Sequence, residues 1–412
     1  MPADGLKGPA PPDSGSTPAG GDDGMLGRNV VTLGWVAFFG GLAQDMIQPI
    51  LPVFYTRVLG LSTEFVGFIE GTLTTVVSVM KVGAGYASDR LRARKPVVFV
   101  GYALSAAGRF ALGFAATGAG TFACRLTDGL GKGIKDAPRD ALVAGSARRG
   151  RLGRAFGLQR ALDTLGSVAG PLITWILLSA WVGQPSAYRR VFWIAGLIAT
   201  VPLGLIALRV RERPAAGPAR PPARFRLTAP FGWFLALSAL FALGNSSDAF
   251  LVLRATNLGL PVALVPVVVA LMNLTSAAAA TPFGALADRI GRRRMLAAGW
   301  VVYALVYLGF GFAGTAVAVW WLYGLYGLFY ALTEGSAKAL VAELVPEEAR
   351  GRAYGAYNAS LGVLALPASL LAGILWNRVS PAAPFYFGGA VALVAVLGLS
   401  IAPAPEDSGH GR

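Results

Sequence analysis

Long apolar stretches alternate with short polar connections along almost the whole sequence. A stretch of about 20 apolar residues is long enough to cross a bilayer as a helix. The sequence contains twelve such stretches, six on each side of a polar break at residues 209–230. They occupy 30–55, 65–86, 97–116, 121–143, 156–182, 191–208, 231–253, 262–286, 296–313, 317–341, 354–376 and 385–401. The pattern therefore predicts an all-α membrane protein with twelve transmembrane helices.

The two halves of the sequence repeat one another. The segment Gly-Tyr-Ala-Ser-Asp-Arg contains Gly85 and Asp89, and Gly-Ala-Leu-Ala-Asp-Arg follows 199 residues later with Gly284 and Asp288. Such a repeat is typical of two related, pseudo-symmetric six-helix bundles that face each other across a central site. We expect a disordered tail at 1–27, bundles at 28–208 and 231–403, a linker at 209–230 and a second tail at 404–412.

Composition and charge agree with a lipid environment. Hydrophobic residues make up 55% of the chain and charged residues 14%, which a soluble protein of this size could not bury without large apolar patches. The net charge is +15, and the basic residues are concentrated in alternate connections. Twenty Lys or Arg follow segments two, four, six, eight and ten, and five lie on the opposite side. Positive loops face the cytoplasm. We therefore expect both termini in the cytoplasm and no nucleic-acid partner.

Several kinds of chemistry are excluded because the sequence lacks the residues or motifs that they need. Cys124 is the single cysteine and His410 the single histidine, so no internal disulfide, histidine proton relay or imidazole metal site is expected. Gly129, Gly131 and Gly133 lie inside a predicted span and lack the Gly-Lys-Ser/Thr of a phosphate loop. The sequence thus predicts no cofactor and no enzyme activity, and energy must come from an ion gradient.

The repeated motif resembles the cytoplasmic loop motif of the major facilitator superfamily, Gly-x-x-x-Asp-Arg-x-Gly-Arg-Arg. The second copy fits throughout, whereas the first copy has Arg92 and Ala93 where Gly and Arg are usual. The resemblance implies a monomeric transporter of a prokaryotic cytoplasmic membrane, in contact with lipid, whose two bundles rock about a midplane site. It also implies a cytoplasmic gate, made by Gly85, Asp89, Arg90, Gly284, Asp288 and Arg289.

A second motif separates exporters from importers within that superfamily. Gly157, Gly166, Gly170 and Pro171 in the fifth segment resemble the antiporter motif, in which glycines permit close helix packing and the proline bends the helix. The Gly pair that usually follows is replaced by Thr174-Trp175. This resemblance favours export over import. The runs 44–49, 131–140 and 244–248 further resemble a largely uncharacterised prokaryotic branch.

Charged residues within predicted spans are candidate functional residues, because a charge at mid-bilayer normally faces a wet cavity or a partner. The fourth segment carries five of them on one helical face: Arg125, Asp128, Lys132, Asp136 and Arg139. Arg160 and Asp163, one turn apart in the fifth segment, could pair with this stripe. The resemblance links Arg125, with Asp128 beside it, to proton coupling; the alternative is a purely structural set of ion pairs.

Two aspartates are the sharpest candidates for a central site. Asp45 lies in the first segment between Gln44 and Gln48, beside prolines that interrupt helical hydrogen bonding. Asp248 follows Asn245 in the seventh segment, which is equivalent to the first by the repeat. In such a cavity a carboxylate could bind and release a proton. The alternative is an aspartate that caps a helix break.

Weaker candidates complete the set. Glu70 lies in the second segment, and Glu334 and Lys338 lie one turn apart in the tenth, where they could simply pair with each other. We expect Asn273 and Asn358 to make polar contacts between helices.

These observations predict a proton-coupled antiporter that exports a cationic drug-like compound or a metal ion. An anionic substrate stays open, because Arg125, Lys132, Arg160 and Lys338 could meet one. Two further alternatives also remain. One is a proton-coupled importer of a small solute or ion, and the other is a transporter-like sensor or assembly factor that binds without net transport.

Overall fold

The computed structural model describes residues 27–91, 93–147, 151–184, 186–212, 228–346 and 349–401, without the side chains at 86, 87 and 89–91. Regular structure in these ranges is helical. The α-helices are α1 (Arg28–Ile47), α2 (Leu51–Val53), α3 (Thr63–Leu91), α4 (Arg94–Leu112), α5 (Gly118–Ser146), α6 (Leu152–Ala180), α7 (Ala187–Ile198), α8 (Val201–Arg209), α9 (Ala229–Gly244), α10 (Ala249–Asn257), α11 (Val265–Ile290), α12 (Arg292–Phe312), α13 (Ala316–Leu344), α14 (Arg350–Arg378) and α15 (Ala383–Ile401). A π-helix (Phe54–Val58) follows α2 and a 3-10 helix (Val262–Leu264) precedes α11. Both predicted tails and most of the linker lie outside the described residues.

Ten helical segments of the described chain are long and apolar enough to cross a membrane. Four consecutive pairs act as single spans: α1 with α2, α7 with α8, α9 with α10, and the 3-10 helix with α11. The other two long helices, α4 and α5, carry charges such as Arg109 and Arg125 within their length. Together the described elements are consistent with the twelve expected spans.

The internal repeat is visible in the helix boundaries. Helices α5 and α13 begin 198 residues apart and end 198 residues apart, and so do α6 and α14. Equal spacing at both ends means that the two halves present equivalent helix positions at the same offset. Residues of one bundle can therefore be compared with the residues 198 positions later.

The first span of each bundle is interrupted, as the polar residues there predict. Helix α1 ends at Ile47, and the chain passes through a turn at 48–50 before α2 begins at Leu51. Helix α9 ends at Gly244 and α10 begins at Ala249, with residues 245–248 outside both helices. Prolines at the first break and polar side chains at the second explain why neither span is a continuous helix.

The bundles are in tight contact at one end. We call the side with the loops after α3, α5, α8, α11 and α13 the basic face, and the other side the opposite face. Towards the opposite face α3 crosses α14 so closely that a Cβ atom on Gly67 would lie 2.2 Å from the carbonyl oxygen of Ser369. Thr63 Oγ1 also donates to Asn377 Oδ1 over 2.7 Å. Cavities between the bundles consequently lie towards their middle and the basic face.

Candidate functional site

A central cavity of about 320 Å³ lies between the two bundles, beside both helix breaks. It brings together most of the residues that the sequence singled out. Its walls include Gln44, Asp45, Gln48, Glu70, Arg160, Asp248, Asn273 and Glu334. Asn245 and Lys338 line an adjoining cavity instead. Polar groups from both halves of the chain thus converge on one concave space, which is the usual form of a small-molecule site.

Asp248 is held by two tyrosines of α13. Tyr326 donates its hydroxyl hydrogen to Oδ1 over 2.7 Å, and Tyr330 donates to Oδ2 over 2.8 Å. The carboxylate does not cap α10, which was the structural alternative for this residue. Within the described residues it forms no ion pair at 4 Å or less. Its negative charge is therefore hydrogen-bonded by neutral donors but is not balanced by a cation.

Asp45 is a carboxylate that the first bundle contributes to the central cavity. It is half-buried on α1, lines the central cavity and lies near Ser167 and Lys132. The described part of the chain contains no ion pair to it within 4 Å. Two carboxylates, one from each bundle, thus face the same cavity with charge that no salt bridge neutralises.

A buried ionic network connects four helices of the first bundle. Asp128 contacts Arg109 over 3.1 Å and Arg125 over 3.2 Å. Arg125 also reaches Glu70 over 3.4 Å, and Tyr55 donates its hydroxyl to the same carboxylate. The four charged side chains are at most 8% exposed. Two arginines and two carboxylates balance, so the network can stay ionised inside the bundle.

This arrangement agrees with the pairing of Arg125 and Asp128 that sequence reasoning proposed, but that reasoning missed Arg109. The Arg109 guanidinium also donates to the carbonyl oxygen of Gly40 over 3.3 Å, which ties α4 to α1. An arginine in the apolar stretch 97–116 was the signal available in the sequence. Glu70 belongs to both the network and the cavity wall, so it links the two.

The rest of the α5 stripe lies closer to the basic face. Asp136 pairs with Lys81 over 3.0 Å, and Arg139 pairs with Asp140 over 3.1 Å. Lys135 lies over the Tyr102 ring at 4.3 Å. Lys132 is half-buried and makes no ion pair within 4 Å to another described residue. Among the described residues, Asp136 and Arg139 are thus paired, whereas the ammonium groups of Lys132 and Lys135 have no carboxylate within 4 Å.

Arg160 does not pair with the α5 stripe as expected. Its guanidinium crosses to the other bundle and contacts Glu334 over 2.8 Å, while Asp163 is 4.0 Å away. Lys338 contacts the same glutamate over 3.4 Å. The reason is orientation: α6 packs against α1 through Gly166 and Gly170, which turns Arg160 towards the cavity. An ion pair between the bundles results.

This ion pair lies where the central cavity meets a larger vestibule of about 1010 Å³. Arg160, Asn273, Ser276 and Glu334 line both spaces. The vestibule extends past Gly157 and Gly284 to Asp288, near the loop that follows α11. The cavity system therefore leads towards the basic face, in keeping with the tight crossing of α3 and α14 at the opposite face.

The motif residues occupy varied surroundings. Asp288 contacts Arg292 over 3.5 Å, and Arg292 reaches Glu343 of α13 over 2.9 Å. A Cβ atom on Gly85 would lie 3.6 Å from the Cβ atom of Ala137. Arg289 is exposed. Gly166 and Gly170 lie against the α1 backbone, Pro171 is buried inside α6, and Gly157 has open space around it. The side chains of Asp89 and Arg90 lie outside the described part.

The second bundle carries tyrosines at the positions where the first carries its charges. At the offset of 198, four charged residues of α4 and α5 correspond to four tyrosines on α12 and α13. The pairs are Arg109 with Tyr307, Arg125 with Tyr323, Asp128 with Tyr326, and Lys132 with Tyr330. Sequence reasoning also missed these tyrosines, although the repeat would have revealed them.

Comparison with known proteins places the chain in a family. Residues 33–253 and 232–411 match the sequence profile described as Major Facilitator Superfamily. The chain belongs to this superfamily. It is accordingly a membrane transporter with many spans and not an enzyme.

Similar proteins agree with that placement. An uncharacterised MFS-type transporter of Methanocaldococcus jannaschii is 34% identical over 388 residues, which cover 91% of this chain and 95% of that protein. The multidrug resistance protein MdtH of Cronobacter sakazakii is 30% identical over 154 residues, covering 37% of this chain and 36% of that protein.

Solved structures share the fold. The nucleoside transporter NupG superimposes with a TM-score of 0.71 at 12% identity and covers 90% of this chain and 98% of its own. The human organic anion transporter MFSD10 gives a TM-score of 0.63 at 18% identity, with 90% and 99% covered. At these identities the likeness concerns the fold alone.

Proposed function

We propose that this superfamily member is a proton-coupled antiporter that exports a small cationic molecule by alternating access. The observation that carries the proposal is the pair of carboxylates in the central cavity. Asp45 comes from one bundle and Asp248 from the other, and neither is balanced by a salt bridge among the described residues. Each can therefore accept a proton or a cationic group.

Charge balance makes exchange the natural mode of action. An uncompensated charge inside a membrane protein costs several kcal/mol. The protein therefore passes through a conformation closed on both sides most readily when the carboxylates in its cavity are neutralised. A cationic substrate can neutralise them on the way out, and protons can do so on the return. A cavity that is occupied alternately by substrate and by protons performs antiport.

The remaining charged residues then have distinct roles. The Arg109, Arg125 and Asp128 network holds the first bundle in one shape, and Glu70 connects it with the cavity. A proton on Glu70 would weaken its attraction to Arg125, which lets cavity occupancy alter the network. The Arg160–Glu334 pair joins the bundles on the basic side and must separate as that side opens further.

Export is the direction that we propose for the transported cation. Protons flow into the cell down their usual gradient, so their antiport drives a cation outwards. The similarity to MdtH, whose name describes multidrug resistance, and the glycine and proline motif of α6 both favour export. If basic loops face the cytoplasm, as the charge bias predicts, the described conformation is open to the side from which a substrate would load.

Proteoliposomes with an acidic lumen test this proposal. A pH dye in the lumen reports proton exit when tetraphenylphosphonium, Zn²⁺ or benzoate is added outside, with protein-free vesicles subtracted. We expect proton exit with tetraphenylphosphonium or Zn²⁺ and none with benzoate. Asp45→Asn and Asp248→Asn should each abolish exchange, because each removes one neutralisable charge.

The matched control is Asp140→Asn, which removes a carboxylate that pairs with Arg139 away from the cavity. This variant should retain exchange. Movement of cation and protons in the same direction would instead identify an importer. Cation binding without any proton or cation flux would identify a sensor, and either result would overturn the antiport proposal.

A further inference from the structure

A side pocket of about 400 Å³ adjoins the central cavity towards the basic face. Four helices of the second bundle, α9, α12, α13 and α14, form most of it, and α3 of the first bundle closes one wall. Tyr330 and Glu334 line both the side pocket and the central cavity. The volume lies within the range of about 300–1,000 Å³ that is typical of small-molecule sites.

The walls of the side pocket are largely aromatic. Phe241 stacks on Trp300 with ring centroids 4.8 Å apart and an angle of 8° between the planes. Tyr357, on the α14 wall, is stacked on Phe234 at 5.6 Å and 14°. Phe329 adds a further ring from α13. Rings that are already held by their neighbours offer a preformed surface for another flat, apolar group.

Three polar side chains of the same pocket have no hydrogen-bond partner among the described residues. Ser238 is 2% exposed, and its hydroxyl forms no hydrogen bond to another described residue. The side-chain amides of Asn245 and Asn358 also line the pocket, and neither makes a side-chain hydrogen bond to another described residue. A buried hydroxyl without a partner is costly, so a ligand that donates to it or accepts from it would gain affinity.

The side pocket is divided between the two bundles. Thr74 and Ser78 of α3 line it beside the α14 wall. At the rim, Thr75 Oγ1 donates to the carbonyl oxygen of Gly362 over 2.6 Å. A molecule in this pocket therefore touches both bodies that rock against each other, and its binding must depend on their relative position.

We propose that the side pocket binds the flat aromatic body of the transported molecule while the positive charge of that molecule lies at Asp248. Tyr330 joins the two subsites, because its hydroxyl binds Asp248 and its ring lines the side pocket. This inference rests on the proposed antiport function and narrows its substrate to elongated aromatic organic cations. Compact cations and metal ions would leave the side pocket empty; the described residues contain no cluster of three or more His, Cys, Asp or Glu suited to a metal.

Binding to the purified full-length protein in nanodiscs tests the inference with two probes. Ethidium is a planar aromatic cation, and its binding is read by fluorescence anisotropy. Tetraethylammonium is a compact cation, and its binding is read by isothermal calorimetry. We expect ethidium to bind at least tenfold more tightly than tetraethylammonium, and Asp248→Asn to weaken ethidium binding at least tenfold.

Asn358→Trp fills the side pocket from its α14 wall and should weaken ethidium binding at least tenfold while it leaves tetraethylammonium binding within twofold. Val363→Trp is the matched control, since Val363 lies on the same helix, is exposed and lines neither cavity. Ser238→Leu fills the pocket from α9 and should act like Asn358→Trp. Thermal unfolding curves identify any variant that fails to fold, and the other filling variant then decides.

Different failures have different meanings. If ethidium binding needs Asp248 but neither filling variant weakens it, the side pocket is not part of the site and the antiport proposal still stands. If tetraethylammonium binds with the same affinity as ethidium, the aromatic subsite is likewise overturned. If ethidium does not bind at all, the narrowing to aromatic cations is wrong, whereas proton exchange with other cations remains a separate result.

Discussion

The crossing of α3 and α14 at the opposite face offers the most direct test of the conformational argument. Gly67 lies at its centre, and an alanine there would place its Cβ atom 2.2 Å from the carbonyl oxygen of Ser369 and 2.8 Å from the carbonyl carbon. Ordinary contacts of a Cβ atom begin at 3.4 Å. Because the obstructing atoms belong to the backbone, no side-chain rotation can relieve the clash. The helices must separate by about 1.2 Å at this point.

The free-energy cost of such overpacking is typically about 1–3 kcal/mol. It applies only to conformations in which α3 and α14 touch, so Gly67→Ala should raise the free energy of the described conformation relative to one that opens the opposite face. A difference of about 1–3 kcal/mol corresponds to a shift of about 5- to 150-fold in the ratio of the two populations. The change therefore becomes visible if the wild type already populates both states to a measurable degree.

Spin labels read this ratio as distance distributions. With Cys124→Ala as background, one pair at Val182 and Val379 spans the opposite face, and one pair at Leu152 and Leu286 spans the basic face; all four side chains are exposed. Gly67→Ala should add longer distances at the opposite face and shorter ones at the basic face.

Gly83→Ala is the control for this experiment. It lies on the same helix, gains the same helix propensity and has open space where its Cβ atom would lie. Its distance distributions should match the wild type. If Gly67→Ala also leaves both distributions unchanged in a folded protein, the crossing does not control access, and the reasoning from its geometry is refuted.

Three further predictions concern arginines. Arg109→Ala leaves Asp128 with one cation fewer inside the first bundle and should reduce stability by about 3–5 kcal/mol in thermal unfolding. Arg57 is exposed, so Arg57→Ala should have almost no effect in the same assay. Arg254→Ala removes hydrogen bonds to three carbonyl groups at the end of α12 and should lower stability by about 2 kcal/mol in the same assay. Arg160→Ala should change stability by less than about 1 kcal/mol, since the pair with Glu334 is 64% and 43% exposed, but it should broaden the basic-face distance distribution.

The fold was largely predictable because it depends on patterns that sequence carries directly. Apolar length gives the spans, and the repeat gives two bundles. The helix breaks follow from prolines and polar residues, and the equivalence of the two broken spans by the repeat predicts that Asp45 and Asp248 line one cavity, as the structure shows. Local pairing was predictable for the same reason: Arg125 and Asp128 are one turn apart on a helix, so they can meet whatever surrounds them.

Partners from distant helices were not predictable in the same way. The contact of Arg160 with Glu334 depends on how α6 and α13 are rotated about their axes, and a single sequence does not determine that rotation. Tyr326 and Tyr330 gave no signal of their own, because tyrosines in an apolar span are compatible with simple packing. Their role becomes visible only in the structure, where the carboxylate of Asp248, between α9 and α10, lies beside them.

The difference between the bundles at equivalent positions explains how a sequence repeat can produce two unlike halves of one site. In the first bundle Asp128 is neutralised by Arg109 and Arg125, so its charge does not depend on what the cavity contains. In the second bundle tyrosines occupy the corresponding positions, and they orient Asp248 without balancing it. A neutral donor fixes the direction of a carboxylate, but only a cation or a proton can cancel its charge. The ionic network thus suits the first bundle to keep its shape through the cycle, while Asp248, like Asp45, leaves cancellation of its charge to the molecule that occupies the cavity.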